Sequence, residues 1–161
     1  MTQEPVLLNP SGELLEQVER RMVLARKTKP IWAKQLSEST DIETLEGRLT
    51  AEPGDYLCRG IQDEQWPQKA NNLFDKYVAS EDIDADGWQR FDPKADAAPV
   101  EAAAIEHPFR VIAQWGELNG KANDYVVRST VDPTDVWIVD RTIFEASYEF
   151  AEDSQTKARE S

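Results

Sequence analysis

The chain has 161 residues, 40% of them hydrophobic and 30% charged, with a formal net charge of −13. That length suits one ordinary domain or two small lobes, and the apolar content argues against disorder. So acidic a field repels phosphate backbones and anionic membranes, which excludes direct nucleic-acid binding as an expected role.

The first predicted element is a helix following Ser11, a suitable N-cap, with Glu13 and Glu16 in its first turns and Arg26 and Lys27 near its end. Leu14, Leu15, Val18, Met22 and Ala25 recur at spacings of three and four, and Lys29-Pro30 stops the helix. Residues 1–28 are therefore read as an N-terminal arm and helix. Short strands follow in "PIWAKQL", "IETLEGRLTAE" and "DYLCRGI", with Pro53-Gly54-Asp55 as a turn. "QKANNLFDKYVA" reads as a helical turn and a closing strand, completing a first β unit over 29–78. Residues 79–106, rich in Asp, Ala and Pro, read as an acidic connector with room for a short helix at 98–105. A second β unit is expected over 107–150, from "PFRVIAQW", a loop "GELNGKAN", "DYVVRST", an Asp132-Pro133 turn and "VWIVDRTIFEASYEF". Residues 151–161 lack any large apolar side chain and read as a disordered tail.

The two units repeat a phrase. Asp55-Tyr56-Leu57-Cys58-Arg59 matches Asp124-Tyr125-Val126-Val127-Arg128. Trp66 and Trp137 are each followed eleven positions later by a tyrosine, Tyr77 and Tyr148. Pro30 and Gln35 echo Pro108 and Gln114 with one residue of slippage, which sets His107-Pro108 against Lys29-Pro30. A diverged tandem repeat explains the order of these matches. The expected fold is α+β and predominantly β: an N-terminal helix plus two related small β-rich units packed as one body.

The stretch Thr44–Tyr77 resembles a family of small phage and bacterial proteins named for a PGDYG motif. Pro53-Gly54-Asp55-Tyr56, Pro67, Lys69 and Tyr77 match, Leu57 replaces the final glycine, and Leu73 stands where the family usually has Phe. The second unit keeps Asp124-Tyr125, Phe144 and Tyr148 without the Pro-Gly. The resemblance implies a compact β-rich fold and carries no activity or catalytic residue with it.

Four residues are candidate ligand contacts. Arg59 and Arg128 either pair with neighbouring carboxylates or line a shared cleft and grip an anion, with Trp66 and Trp137 as stacking faces. The candidate metal ligands are Asp82, Asp84 and Asp86 of "DIDADG", which fits the opening of a calcium loop. The match fails at position nine, Arg90, and at position twelve, Pro93, where a glutamate should close the shell. Cys58 sits where the second unit has Val127, so it reads as a packing residue rather than a nucleophile. One cysteine and one histidine, His107, exclude an internal disulfide, a cysteine-based zinc cluster and a His-rich metal site. No cofactor is implied, and no phosphate-binding glycine loop, nucleophile elbow or zincin motif occurs.

No run approaches the roughly 20 apolar residues of a membrane span, and "MTQEPVLLNPSGE" lacks the regions of a secretory signal. The expectation is a cytoplasmic, non-enzymatic binding or accessory protein, without membrane contact, holding a protein partner or a small anionic ligand. The alternative is an acidic nucleic-acid mimic that blocks a basic site on a partner protein. Self-association is compatible with either.

Overall fold

A computed structural model describes residues 6–8, 16–113 and 116–151. In chain order these form β1 (Val6–Leu8), α1 (Glu16–Arg21), β2 (Val23–Lys27), β3 (Ile31–Gln35), β4 (Thr40–Thr44) and β5 (Gly47–Ala51). Next come β6 (Tyr56–Arg59), β7 (Gln65–Gln68), α2 (Ala70–Lys76), β8 (Tyr77–Ile83) and β9 (Gln89–Pro93). Last are β10 (Val100–Ala104), β11 (Phe109–Ala113), β12 (Gly116–Gly120), β13 (Tyr125–Ser129), β14 (Val136–Val139), α3 (Arg141–Ser147) and β15 (Tyr148–Phe150). Strands dominate, as expected, and the chain divides into two units, residues 28–97 and residues 1–27 with 98–161.

In the unit of residues 28–97, five strands form an antiparallel sheet in the order β7-β6-β3-β9-β8. A separate hairpin, β4–β5, is inserted between β3 and β6, and α2 links β7 to β8. Side chains alternate across a strand, so one sheet face collects Ile31, Ala33, Tyr56, Cys58, Trp66 and Phe91, closed by Leu73 of α2 and by Tyr77. Tyr56, Phe74 and Phe91 meet edge to face at centroid distances of 5.7–6.1 Å.

The other unit has the sheet order β14-β13-β10-β2-β15, with a β11–β12 hairpin inserted between β10 and β13 and α3 linking β14 to β15. Its core gathers Ala25, Val100, Ala102, Tyr125, Val127 and Phe144. Phe144 of α3 stacks between Tyr125 (3.9 Å) and Tyr148 (4.7 Å). β1 adds to the hairpin edge, running parallel to β11 with Leu7 opposite Arg110.

Register can be compared pair by pair. Cys58 lies opposite Ala33 and Trp66, and Val127 lies opposite Ala102 and Trp137. Tyr77 opens β8 opposite Pro93, and Tyr148 opens β15 opposite Lys27. Ile31 pairs with Phe91 as Val100 pairs with Ala25. The backbone turns agree too: Asp55 N–H donates to Glu52 O and Asp124 N–H to Lys121 O, both at 3.0 Å. Gly54 (φ 93°) and Asn123 (φ 77°) occupy the same left-handed turn position, which glycine and asparagine tolerate best.

Several sequence expectations are corrected. The helix does not run to Lys27: it ends at Arg21, and residues 23–27 form a strand between β10 and β15. The proposed connector 79–106 holds most of β8 and all of β9 and β10. Ala-rich "VEAAA" is a strand rather than a helix because it is a central one, where Ala102 and Ala103 are both buried and small residues let helices approach. Pro99, preceding β10, therefore answers to Pro30, and Pro108 precedes the hairpin instead. "GELNGKAN" contributes β12, and the "VWIVDRTIFEASYEF" segment is broken by α3, whose N-cap Asp140 accepts the N–H groups of Thr142 and Ile143. The eleven-residue Trp-to-Tyr spacing is thus a strand–helix–strand crossover in both units. Most of the expected tail, residues 152–161, lies outside the described residues, as does Ser11. No described helix is long and apolar enough to cross a membrane.

Candidate functional site

Arg59 and Trp66 lie on opposite faces of their sheet. Trp66 pairs across the strands with Cys58, so it shares the core face, whereas Arg59 pairs with Trp32 and Gln65 on the other. The expected stacking of an anion between Arg59 and Trp66 is therefore not built. Arg59 instead covers Trp88, with Cζ 4.6 Å from the ring centroid, and lies 5.8 Å from Trp32. The Lys34 ammonium sits over Trp88 as well, at 4.4 Å, and donates to Asp86 O at 3.2 Å. Trp88 is buried with two cations close to its ring, a favourable use of the indole quadrupole.

The acidic loop positions that indole. Asp84 Oδ1 accepts the N–H groups of Asp86 (2.9 Å) and Trp88 (3.0 Å), and Gly87 takes a φ of 89° that the turn requires. The Trp88 N–H, opposed in part by burial and assisted by the Asp86 N–H, Arg59 and Lys34, holds the Asp84 carboxyl below its ordinary range. Its other oxygen lies 3.6 Å from Arg59 Nη2. Asp82 and Asp86 are exposed, and among the described residues no group of three or more His, Cys, Asp or Glu is placed to hold a metal ion. The calcium-loop resemblance is a β8–β9 turn whose carboxylate bonds its own backbone.

Arg128 has a different neighbourhood. It lies opposite Glu101 and Val136, on the face away from the Tyr125–Val127–Phe144 core. Its guanidinium bridges Glu101 (3.3 Å) and Glu19 of α1 (3.2 Å). Trp137, like Trp66, packs against its core cluster. Both arginines therefore have carboxylate partners, and both tryptophans are packing residues.

A polar cluster that sequence reading missed surrounds the shared aspartates. Asp124 is 2% exposed; it accepts the Lys121 N–H at 3.1 Å and the Lys121 ammonium at 2.8 Å, and that ammonium also reaches Asp140 at 2.6 Å. In the other unit Asp55 accepts the Glu52 N–H at 2.9 Å and pairs with Lys69 at 3.3 Å. Lys69 is the N-cap of α2 as Asp140 is of α3, so the charges at turn and cap are exchanged around a constant buried aspartate. The signal was present in the matched Pro-Gly-Asp and Ala-Asn-Asp turns. Cys58 is fully buried, and Gln68 Nε2 donates to its sulfur at 3.5 Å while Gln68 Oε1 is buried without a partner among the described residues.

No protein-family model, curated protein or solved structure matches the chain. The PGDYG resemblance thus rests on the matched residues themselves, those of the 44–77 stretch and the fewer of the second unit.

Proposed function

We propose that the chain is a non-enzymatic binding or accessory protein of the cytoplasm, made of two diverged copies of one PGDY-like β unit, that holds a protein partner. One observation carries this reading. The two units have the same strand order and the same pair register, yet among the described residues only one hairpin edge, that of β11, bears an added strand. A duplicated scaffold with one edge capped and its counterpart open is suited to gripping an extended segment. The chemistry-bearing side chains support it further, because Arg59, Arg128, Asp84, Asp124 and Asp140 all have partners within their own unit.

An acidic nucleic-acid mimic is less well supported, since surface carboxylates such as Glu43, Glu117 and Glu145 each face an arginine at 3.0 Å. Native mass spectrometry of the protein purified gently from its own cells tests the proposal. A stoichiometric second polypeptide is expected. Turnover of a hydrolase or transferase substrate panel, abolished by a point variant, would overturn it.

A further inference from the structure

The two hairpins agree in detail. Each has five pairs and leaves two residues between its strands, the length of a two-residue hairpin turn, after Thr44–Gly47 in one and Ala113–Gly116 in the other. Each buries its central pair, Ile42–Leu49 and Val111–Leu118. The closing pair of such a turn is hydrogen-bonded, so alternate residues bond inward and the ones between them point their N–H and C=O away. On β11 the outward residue Arg110 is the one centred on Leu7 of β1. On β4 the outward residues are Asp41 and Glu43, and β4 pairs only with β5 among the described residues.

We infer that the outer edge of β4 is a docking site for an extended segment of a partner protein, added parallel to β4 as β1 is added to β11, with apolar residues alternating with Lys or Arg. This rests on the partner-binding reading above and names its surface. The chemistry follows from the pleat. Segment residues in register with Thr40 and Ile42 fall on the side of the hairpin where Ile42 and Leu49 are buried, and apolar side chains fit there. The residue between them falls beside Asp41, which is exposed and, among the described residues, accepts from the Thr50 hydroxyl at 2.8 Å, and a cation fits there. The net charge of −13 steers the same class of segment toward the protein.

The test titrates the full-length protein with the synthetic peptide acetyl-GVKVKVG-amide and follows backbone amides by NMR and hydrogen exchange. The Asp41 and Glu43 amides are expected to shift and to exchange more slowly, with weaker binding at higher salt. Asp41→Pro removes one outward donor on an edge strand, where proline is tolerated, and should weaken binding about tenfold or more. Asp41→Asn keeps the backbone and should weaken it about threefold while reducing the salt dependence. Unchanged exchange elsewhere in each variant shows that the fold survives. Shifts confined to β1 and β11, equal binding by Asp41→Pro, or concentration-dependent self-association through 40–44 without peptide would each overturn the assignment. A polypeptide retained in the native mass spectrum alongside a failed titration would remove this edge and leave the binding reading standing.

Discussion

Gln68 donates to the buried Cys58 sulfur while its carbonyl oxygen has no partner among the described residues, so this pair tests how the core handles a polar side chain. The register partners in the other unit are Val127 and Val139, both apolar. Cys58→Val alone leaves the whole Gln68 amide unpaired and should cost about 1–2 kcal/mol in urea denaturation. Adding Gln68→Leu removes that buried amide, and the double variant should recover to within about 1 kcal/mol of wild type. A double variant no more stable than the single one would contradict this. Asp140 gives the pH counterpart. Its hydrogen bond from Lys121, against some desolvation and with the Ile143 and Thr142 N–H groups, depresses its pKa. A depressed carboxyl contributes stability that is present above the ordinary Asp value and lost as pH falls through the lower folded value. The melting temperature should therefore fall more steeply below about pH 4 in wild type than in Asp140→Asn. Lys121 is raised, its bonds to Asp124 and Asp140 outweighing desolvation, so its share of the link is lost only in strong alkali.

Among elements, the hairpins differ at one pair that explains a glycine. Gly120 lies opposite Phe109, which is fully buried, and a Cβ at Gly120 would run into that ring. The corresponding pair in the other hairpin is Ala51 opposite Thr40, where the smaller partner leaves room for a methyl group. Gly120→Ala should cost about 1–3 kcal/mol through overpacking, and pairing it with Phe109→Leu should return part of that loss. The measurement is chemical denaturation of both variants; an unaltered midpoint for Gly120→Ala would show that the ring moves freely. The outer sheet faces differ as well: in one unit α1 reaches Arg128, and in the other the Trp88 indole lies under Arg59 and Lys34. The two are different solutions to covering an equivalent surface.

For the molecule as a whole, the chain order of the strands matters most. β9 follows β8 across a five-residue turn, whereas its counterpart β2 comes from the start of the chain and fills the slot between β10 and β15. Residues 98–151 therefore complete their sheet only with residues 23–27, while residues 28–97 contain every strand of theirs. Ala25 is fully buried on β2, opposite both Val100 and Phe150. Ala25→Asp places an unpaired charge there. Hydrogen exchange should then show protection lost across 98–151 and retained across 31–93, and simultaneous loss in both regions would mean that the two units fold as one.

The sequence by itself determined what is local. The Pro-Gly-Asp turn, the Asp-Tyr-x-x-Arg strands and the matched Trp-to-Tyr spacing depend on residues a few positions apart, and each stands in the structure where those residues demand it. Cys58 was legible as packing because its counterpart is Val127. What only the tertiary structure decided depends on partners far along the chain. "VLARK" fits a helical face as well as a strand, and β10 and β15, more than 70 residues away, resolve it in favour of the strand. The face an arginine takes follows from pairing, so Arg59 finds Trp88 rather than Trp66. "DIDADG" has the residues of a cation loop, but carboxylates ligate only where the backbone makes them converge, and this turn directs Asp84 to its own N–H groups. Local chemistry sets which turns and strands are available; hydrogen-bond partners tens of residues apart select among them, and no short window of sequence contains both ends of such a bond.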